Sequence, residues 1–529
     1  VGNIITSRFE FFFYKKMARS IETQKVTLTY SQRYKALSEE LIDERIWEKE
    51  KGSILNSLGY SKLTTPIEQV LEEHEKTLDS LLIKVNQRLT NGENKHIKLK
   101  QEGHLFKWTL PYQKRPDLIN NPFFQQLPQV DIVDVLYFVD QQCGFLKQFS
   151  ALQSHATKDP KNNQNLIGAI LGNAVRMGSY KMADASNLNL GEMLTTEKTY
   201  LRLETLRSAI DVINNATSKL SIFPYWNIDD KLHSSLDGTK IGTKLETLKS
   251  RYSPKYYGLG KGVSSYNHVT NHIPINARII SPNEHESHFI FPVVYNNTSE
   301  MSPTRHSGYG HSYNRTVFTL FDTIDHDYFP NLPGIQKRPI YCFSPIENYS
   351  NLIIRPSQQV NQKLIVERWP DVVHILASVL QNETDIARVI SKLASHQYYS
   401  KTKDALWEYE AILRSIYILN YVDDITLRQN VRSALNRGEA YHQLYKAISY
   451  VNGGKFRGKS EMEIEVWSEC TRLIASAILY YNSYILSLLL EQAETQEQRD
   501  FIIRLSPAAW GHIHLLGKYE LEPKGIDLE

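Results

Sequence analysis

Cysteine is scarce: Cys143, Cys342 and Cys470 are the three in 529 residues, and they lie far apart. That spacing leaves no CxxC zinc site and no disulfide framework, and it points to a reducing cytoplasm. Charge of one sign is scarce too. A net charge of +3 and a pI near 8.4 permit a polyanionic partner without announcing one, so any nucleic-acid signal has to be local. Long apolar runs are missing as well. The opening FEFFFYKKM is too short and too interrupted for a signal peptide or a membrane span. The most apolar late stretch, 474–490, carries Ser476, Tyr480, Tyr481, Asn482 and Ser483, which suits a buried helix better than a bilayer. The first residue is Val1 rather than Met, and the chain reads as a fragment or a trimmed product. What is present is a globular balance, 41% hydrophobic and 22% charged, over a length that calls for several domains.

Helical patterning dominates both ends. In EQVLEEHEKTLDSLLIKVNQRL (68–89), Val70, Leu71, Leu78, Leu81, Leu82 and Val85 share a stripe, so the EEHEK charges form the solvated face. Pro116, Pro122 and Pro128 mark a linker over 114–130. Packed helices follow over 131–146 and 166–186, the second softened or broken by Gly168, Gly172 and Gly178, at a cost of about 1 kcal/mol per helical glycine. A further helix is expected from Glu197 to Ala216. After Pro224 the character changes. The stretch 256–281 is rich in β-branched and aromatic residues punctuated by glycine, 338–345 reads as a strand, and 283–297 reads as a helix that Pro292 should kink or end. Beyond Pro356 helices return: one from Trp369 with Pro370 in its first turn, one over 385–396, one over 405–421, and one carrying Glu439. On that last helix Ala440, Leu444, Ala447, Ile448 and Val451 define a buried side, which sets Glu439, His442, Gln443 and Lys446 on the other.

HSSLDGTKIG (233–242) is the stretch around which the chain is organised. An isolated Asp-Gly is ordinarily a turn. Here Asp237 is expected at the end of a strand, while Glu439 sits far downstream on a helix; two such acids can converge on a divalent metal, an arrangement that moves phosphoryl groups. The pair His285 and His288, with Glu284 and Glu286, has a spacing that zinc could use, but no third ligand at recognisable spacing accompanies it.

HSSLDGTK, RYSPKYYGLGKGV (251–263), NEHESH (283–288), LNRGEAYHQL (435–444), YVNGGKFRGKSE (450–461) and LSPAAWGHIHLLGKYE (505–520) occur in this order. Together they closely resemble the DDE transposases of the Tn-three, or gamma-delta, type over roughly residues 30–519. The resemblance implies a mainly α protein with a central α/β RNase H-like core, a mixed β-sheet interrupted by a long helical insertion. The implied organisation is a truncated N-terminal helical remnant (1–115), a helical scaffold (116–222), the first part of the core (223–345), the insertion (346–434), and the third-acid helix with a C-terminal helical region (435–529). It further implies the C-terminal half of a longer bacterial, cytoplasmic enzyme, which acts on transposon terminal inverted repeats and target DNA as a homodimer, with no membrane partner. Mg²⁺ is the implied ion, with Mn²⁺ as the alternative.

Carried over by motif, the first acid is Asp237 and the third is Glu439. The second falls on Tyr309 of SGYGHS (307–312), where the family has Asp. A phenol, neutral at pH 7, is a poor Mg²⁺ ligand. Asp322, Asp325 or Asp327 could in principle substitute, and His311 could contact a phosphate or serve only the surface. The basic residues expected along DNA are Lys240, Lys255, Lys261, Arg437, Lys455, Arg457 and Lys459; the glycines of GGKFRGKS equally fit a solvated turn. Two functions follow: Mg²⁺-dependent cleavage and strand transfer at transposon ends, impaired by Tyr309, or an inactive remnant that binds DNA or transposase subunits without cutting.

Overall fold

The computed structural model describes residues 5–22, 25–31, 34–102, 105–111, 121–151, 161–395 and 400–526. Pro116 of the expected linker, and His396 at the end of an expected helix, lie outside them. Contacts divide the chain into two compact units, each assembled from separate stretches of sequence. The first takes 1–113, 287–292 and 312–428; the second takes 114–286, 293–311 and 429–529. The chain is mostly helical, with a mixed sheet in the second unit.

In the first unit the stripe at 68–89 becomes the helix Ile67–Thr90, which buries Val70, Leu71, Leu78, Leu82 and Val85. It packs against Gln362–Leu380 and Lys401–Asp423. Gln362–Leu380 starts a full two turns before the Trp369 expected from sequence, so Pro370 lies inside it. A helix-interior proline costs about 3 kcal/mol. Burial of Ile365, Trp369, Val372, Val373 and Leu376 on this helix, at roughly 1.5–3 kcal/mol per large side chain, outweighs that. The expected strand 338–345 shrinks to Tyr341–Cys342, paired in parallel with Gln358–Gln359. Asp322 and Asp325 both pair with Lys62, at 2.7 and 3.2 Å, and Asp322 also accepts from the Tyr409 hydroxyl at 2.9 Å. Neither carboxylate is idle.

In the second unit Glu461–Gln492 forms the axis. Its stretch 474–490 is buried as the composition requires, against Leu203–Ser218, Asn163–Ala174 and the strand Ile273–Ile280. By length and composition this helix could cross a membrane, yet its most apolar window is mostly buried inside the protein. The 166–186 region is indeed broken, into Asn163–Ala174 and Gly178–Asp184, with Arg176 and Gly178 both at positive φ. The single helix expected over 197–216 is instead two, Leu190–Tyr200 and Leu203–Ser218. Leu201 and Arg202 between them take extended backbone, and the Thr205 side chain caps the second.

The sheet is centred on His233–Thr243, the longest strand. Lys261–Thr270 lies antiparallel along one side of it, in register from Ser234↔Thr270 to Thr243↔Lys261. Ile273–Ile280 continues the sheet beyond that, joined by a tight turn in which Asn271 and His272 have positive φ. On its other side the central strand pairs in parallel with the short strand Arg305–Gly308. The helix expected over 283–297 is reduced to Ile290–Tyr295 after a 3-10 turn at Glu286–His288. Pro292 neither kinks nor ends it, because it occupies the first turn, where a missing N–H breaks no helical bond.

Candidate metal centre

Side chains alternate along the central strand, so Ser235, Asp237, Thr239 and Ile241 share one face while Leu236, Gly238 and Lys240 share the other. Asp237 lies in the middle of this strand, not at its end as the sequence suggested. The antiparallel partner accounts for the difference: hydrogen bonding to Lys261–Thr270 carries the strand on for six residues past Asp237. Pairing on the opposite side does stop here, at Leu236↔Gly308. Tyr309 follows Gly308 directly and so comes just after the last paired step.

The helix Ile425–Ile448 brings Glu439 to the same face. Its approach depends on Gly438, where any Cβ would overlap the Ser235 hydroxyl. Alanine normally stabilises a helix interior by about 1 kcal/mol over glycine; at Gly438 the steric overlap reverses the sign. Gly438→Ala is expected to destabilise by about 1–3 kcal/mol, readable as a lowered Tm, and a neutral or raised Tm would contradict the close packing described.

Asp237, Glu439 and His442 each offer one ligand atom, and these atoms lie within 4.8 Å of one another. Among the described residues they are the group of three or more such side chains so placed. Glu439 is exposed, Asp237 keeps 22% side-chain exposure, and His442 is buried. His442 is a correction to the sequence reading, which had set it on the outer side of its helix. The sheet covers this part of the helix, with Asn267, the register partner of Asp237, 3.4 Å from the His442 Nε2, while Glu439 and Lys446 stay exposed. The signal missed in sequence was the three-residue step from Glu439, which stacks the two side chains on one helical face.

Burial, reinforced by the negative charges of Glu286 and Glu439, pushes the Asp237 carboxyl up to about 7, against the opposing Gly238 N–H bond and Lys240 charge. Burial, with Lys446 nearby, lowers His442 to about 3, so its imidazole is neutral. The 3.6 Å approach of His442 Nδ1 to Asp237 Oδ2 is accordingly not an ion pair. A carboxylate this reluctant to ionise, next to a second carboxylate and a neutral imidazole, is a site that a cation would relieve.

The other sequence-predicted residues are dispersed. Lys240 pairs with Glu286 on the opposite face of the sheet, its ammonium 5.3 Å from the Tyr256 ring centre. Lys261 pairs with Glu246 at 2.5 Å, and Lys255 lies 4.9 Å from the same Tyr256 ring. Glu284 accepts from the Ser281 N–H, so it and Glu286 are committed, and no zinc group forms at 284–288 among the described residues. His311 is exposed in the turn Gly310–Ser312; burial, then the charge of His311, lowers His285. The GGKFRGKS segment adds itself to the end of the central strand: Phe456 N–H donates to Gly242 O at 2.9 Å and Lys244 N–H to Phe456 O at 2.7 Å. Lys455 and Lys459 are exposed there and Arg457 partly so. Arg437 is a correction. Its guanidinium is buried and donates to Trp226 O at 2.6 Å and Asn271 Oδ1 at 3.1 Å, so it braces the turn after Lys261–Thr270 rather than lining a surface.

Residues 134–519 match the family model of the Tn3 transposase DDE domain. The chain is 23% identical over 518 residues to the transposase of transposon Tn1546 from Enterococcus faecium, covering 97% of this chain and 51% of that protein. It is 25% identical over 460 residues to the Tn501 transposase of Pseudomonas aeruginosa (85% and 46%). It is 23% identical over 536 residues to the gamma-delta transposase of Escherichia coli K12 (98% and 52%). The chain thus spans about half the length of these relatives. With the match extending over most of its residues and through the strand and helix that carry Asp237 and Glu439, this chain belongs to the Tn3 transposase DDE family.

Proposed function

We propose that the chain is the catalytic part of a DDE-type DNA transposase, cutting strands at transposon ends and joining the freed 3′-hydroxyl to target DNA. The observation that carries this reading is the convergence of Asp237 and Glu439, distant in sequence, on one face of the sheet within 4.8 Å. In this reading the sheet is an RNase H-like core, the stretch 346–434 is its helical insertion, and 1–115, 116–222 and 435–529 are helical segments around it. Hard oxygen ligands suit Mg²⁺, with Mn²⁺ as the alternative. Asp237 and Glu439 would hold it, and when bound the ion supplies charge for the scissile phosphate and lowers the pKa of the attacking hydroxyl. The two carboxylates and neutral imidazole fit one divalent cation, whereas Tyr309 leaves the second-acid position without a carboxylate.

The protein's own part is orientation. The Gly238 N–H donates to Asp237 Oδ1 at 2.9 Å, which leaves Oδ2 toward Glu439 and His442. Exposed Lys255, Lys455 and Lys459, with Arg457, would contact DNA phosphates, and Lys240 and Lys261 would have to leave Glu286 and Glu246 to do so. His311 is the remaining candidate near the substrate. DNA ends and target as partners, a homodimer on DNA and a cytoplasmic setting complete the proposal.

Incubating the chain, fused where needed to an end-binding region, with transposon-end DNA and Mg²⁺ or Mn²⁺ tests it. Nicking that falls to background in Asp237→Ala and in Glu439→Gln is the expected result. A folded chain that binds end DNA and never nicks it would favour the alternative that Tyr309 suggests, an inactive remnant that binds DNA or transposase subunits.

A further inference from the structure

Resting on the reading of Asp237 and Glu439 as metal ligands, His442 acquires a role that the family's three acids do not include. Its imidazole is almost wholly buried, yet Nδ1 opens toward the two carboxylates, 3.6 Å from Asp237 Oδ2. Three donors each bonded to one ion at about 2.0–2.2 Å stand roughly 3–4 Å apart, and the separations here, within 4.8 Å, approach that without rearrangement of the backbone. The Asn267 side chain lies behind the ring, its amide nitrogen 3.4 Å from Nε2. Gly438 fixes the helix close enough to the strand for both Glu439 and His442 to reach.

We infer that Asp237, Glu439 and His442 form a single-ion site of two carboxylate oxygens and one imidazole nitrogen, selective for Zn²⁺ and Mn²⁺ over Mg²⁺. The donor set decides the preference. Mg²⁺ wants oxygen in near-octahedral geometry and keeps its waters, whereas imidazole favours first-row transition ions, along which affinity rises from Mn²⁺ toward Zn²⁺. Loss of the second acid at Tyr309 removes a carboxylate for a second ion, so the imidazole-containing site is the one that remains.

The test is calorimetric titration of the 529-residue chain with Mn²⁺, Zn²⁺ and Mg²⁺, together with pulsed EPR of the Mn²⁺ form to detect coupling to an imidazole ¹⁴N. Expected are one Mn²⁺ per chain, bound at least tenfold tighter than Mg²⁺, and a ¹⁴N coupling. His442→Gln should abolish that coupling and weaken Mn²⁺ binding tenfold or more, with His442→Asn as a second variant and thermal melting to confirm that each is folded. Mn²⁺ binding that depends on Asp237 and Glu439 but shows no ¹⁴N coupling overturns the role of His442 and leaves the two acids standing. Binding unchanged in both Asp237→Asn and Glu439→Gln overturns the metal reading of the acids themselves.

Discussion

Tyr309→Asp is expected to raise Mg²⁺-dependent nicking of transposon-end DNA by roughly 100-fold, on the basis that a metal ion's charge stabilisation is worth several kcal/mol and each 1.36 kcal/mol is a factor of ten. The geometry behind this is the parallel pairing of His233–Leu236 with Arg305–Gly308. Position 309 comes directly after its last paired residue, Gly308, as Asp237 comes after Leu236, so the prediction is that a carboxylate there shares an ion with Asp237. A phenol in the same place is neutral and bulky, and it binds Mg²⁺ poorly. The gain should disappear in the double variant with Asp237→Ala. Absence of any gain in a folded, DNA-binding Tyr309→Asp protein would show that position 309 is not the second-acid position.

The second large effect is on stability. The folded-state pKa of Asp237, about 7, exceeds its unfolded value near 3.9, so between these limits the folded chain binds the proton more tightly than the unfolded chain does. Stability therefore falls as pH rises from about 4 through 7, and above 7 the ionised carboxylate carries its whole penalty. At 1.36 kcal/mol per pKa unit that penalty reaches about 4 kcal/mol. Asp237→Asn, which cannot ionise, should be more stable than the parent at pH 8 in chelator by up to that amount. The advantage should shrink as pH is lowered and vanish near pH 4. Denaturant or thermal unfolding at several pH values measures this; an advantage that does not vary with pH would mean that the carboxylate is not held under electrostatic strain. Adding divalent cation at pH 8 should recover stability in the parent and leave Asp237→Asn nearly unchanged, since binding to the folded state alone stabilises it by mass action.

Much of the helical architecture was legible because apolar stripes of period 3.6 report directly on one-sided burial. Ile67–Thr90 is an example, whereas Glu461–Gln492 was legible from a generally apolar stretch carrying Ser, Tyr and Asn, and it is buried on all sides over 468–483. The failures have separable causes. Gln362–Leu380 absorbs Pro370 because the burial of its neighbours outweighs a local penalty, and propensity alone cannot weigh the two. The 283–297 segment carries a helical pattern but yields only a 3-10 turn at Glu286–His288 and the short helix Ile290–Tyr295, while Glu286 pairs with Lys240 of the sheet.

At the candidate centre the division is sharper. Motif order by itself determined the family, and it raised the expectation that Asp237 and Glu439 are its first and third acids and that the second falls on Tyr309, because these are matters of residue type and spacing along the chain. Only the tertiary structure decided that Asp237 lies mid-strand, that His442 is turned into the site and that Arg437 is turned away from the surface. Each of these depends on which strand or helix covers a given face. That is set by pairings between residues as far apart as Asn267 and His442 or Trp226 and Arg437, where the hydrogen bonds and buried contacts of the partner, not the periodicity of the segment, fix the direction of the side chain.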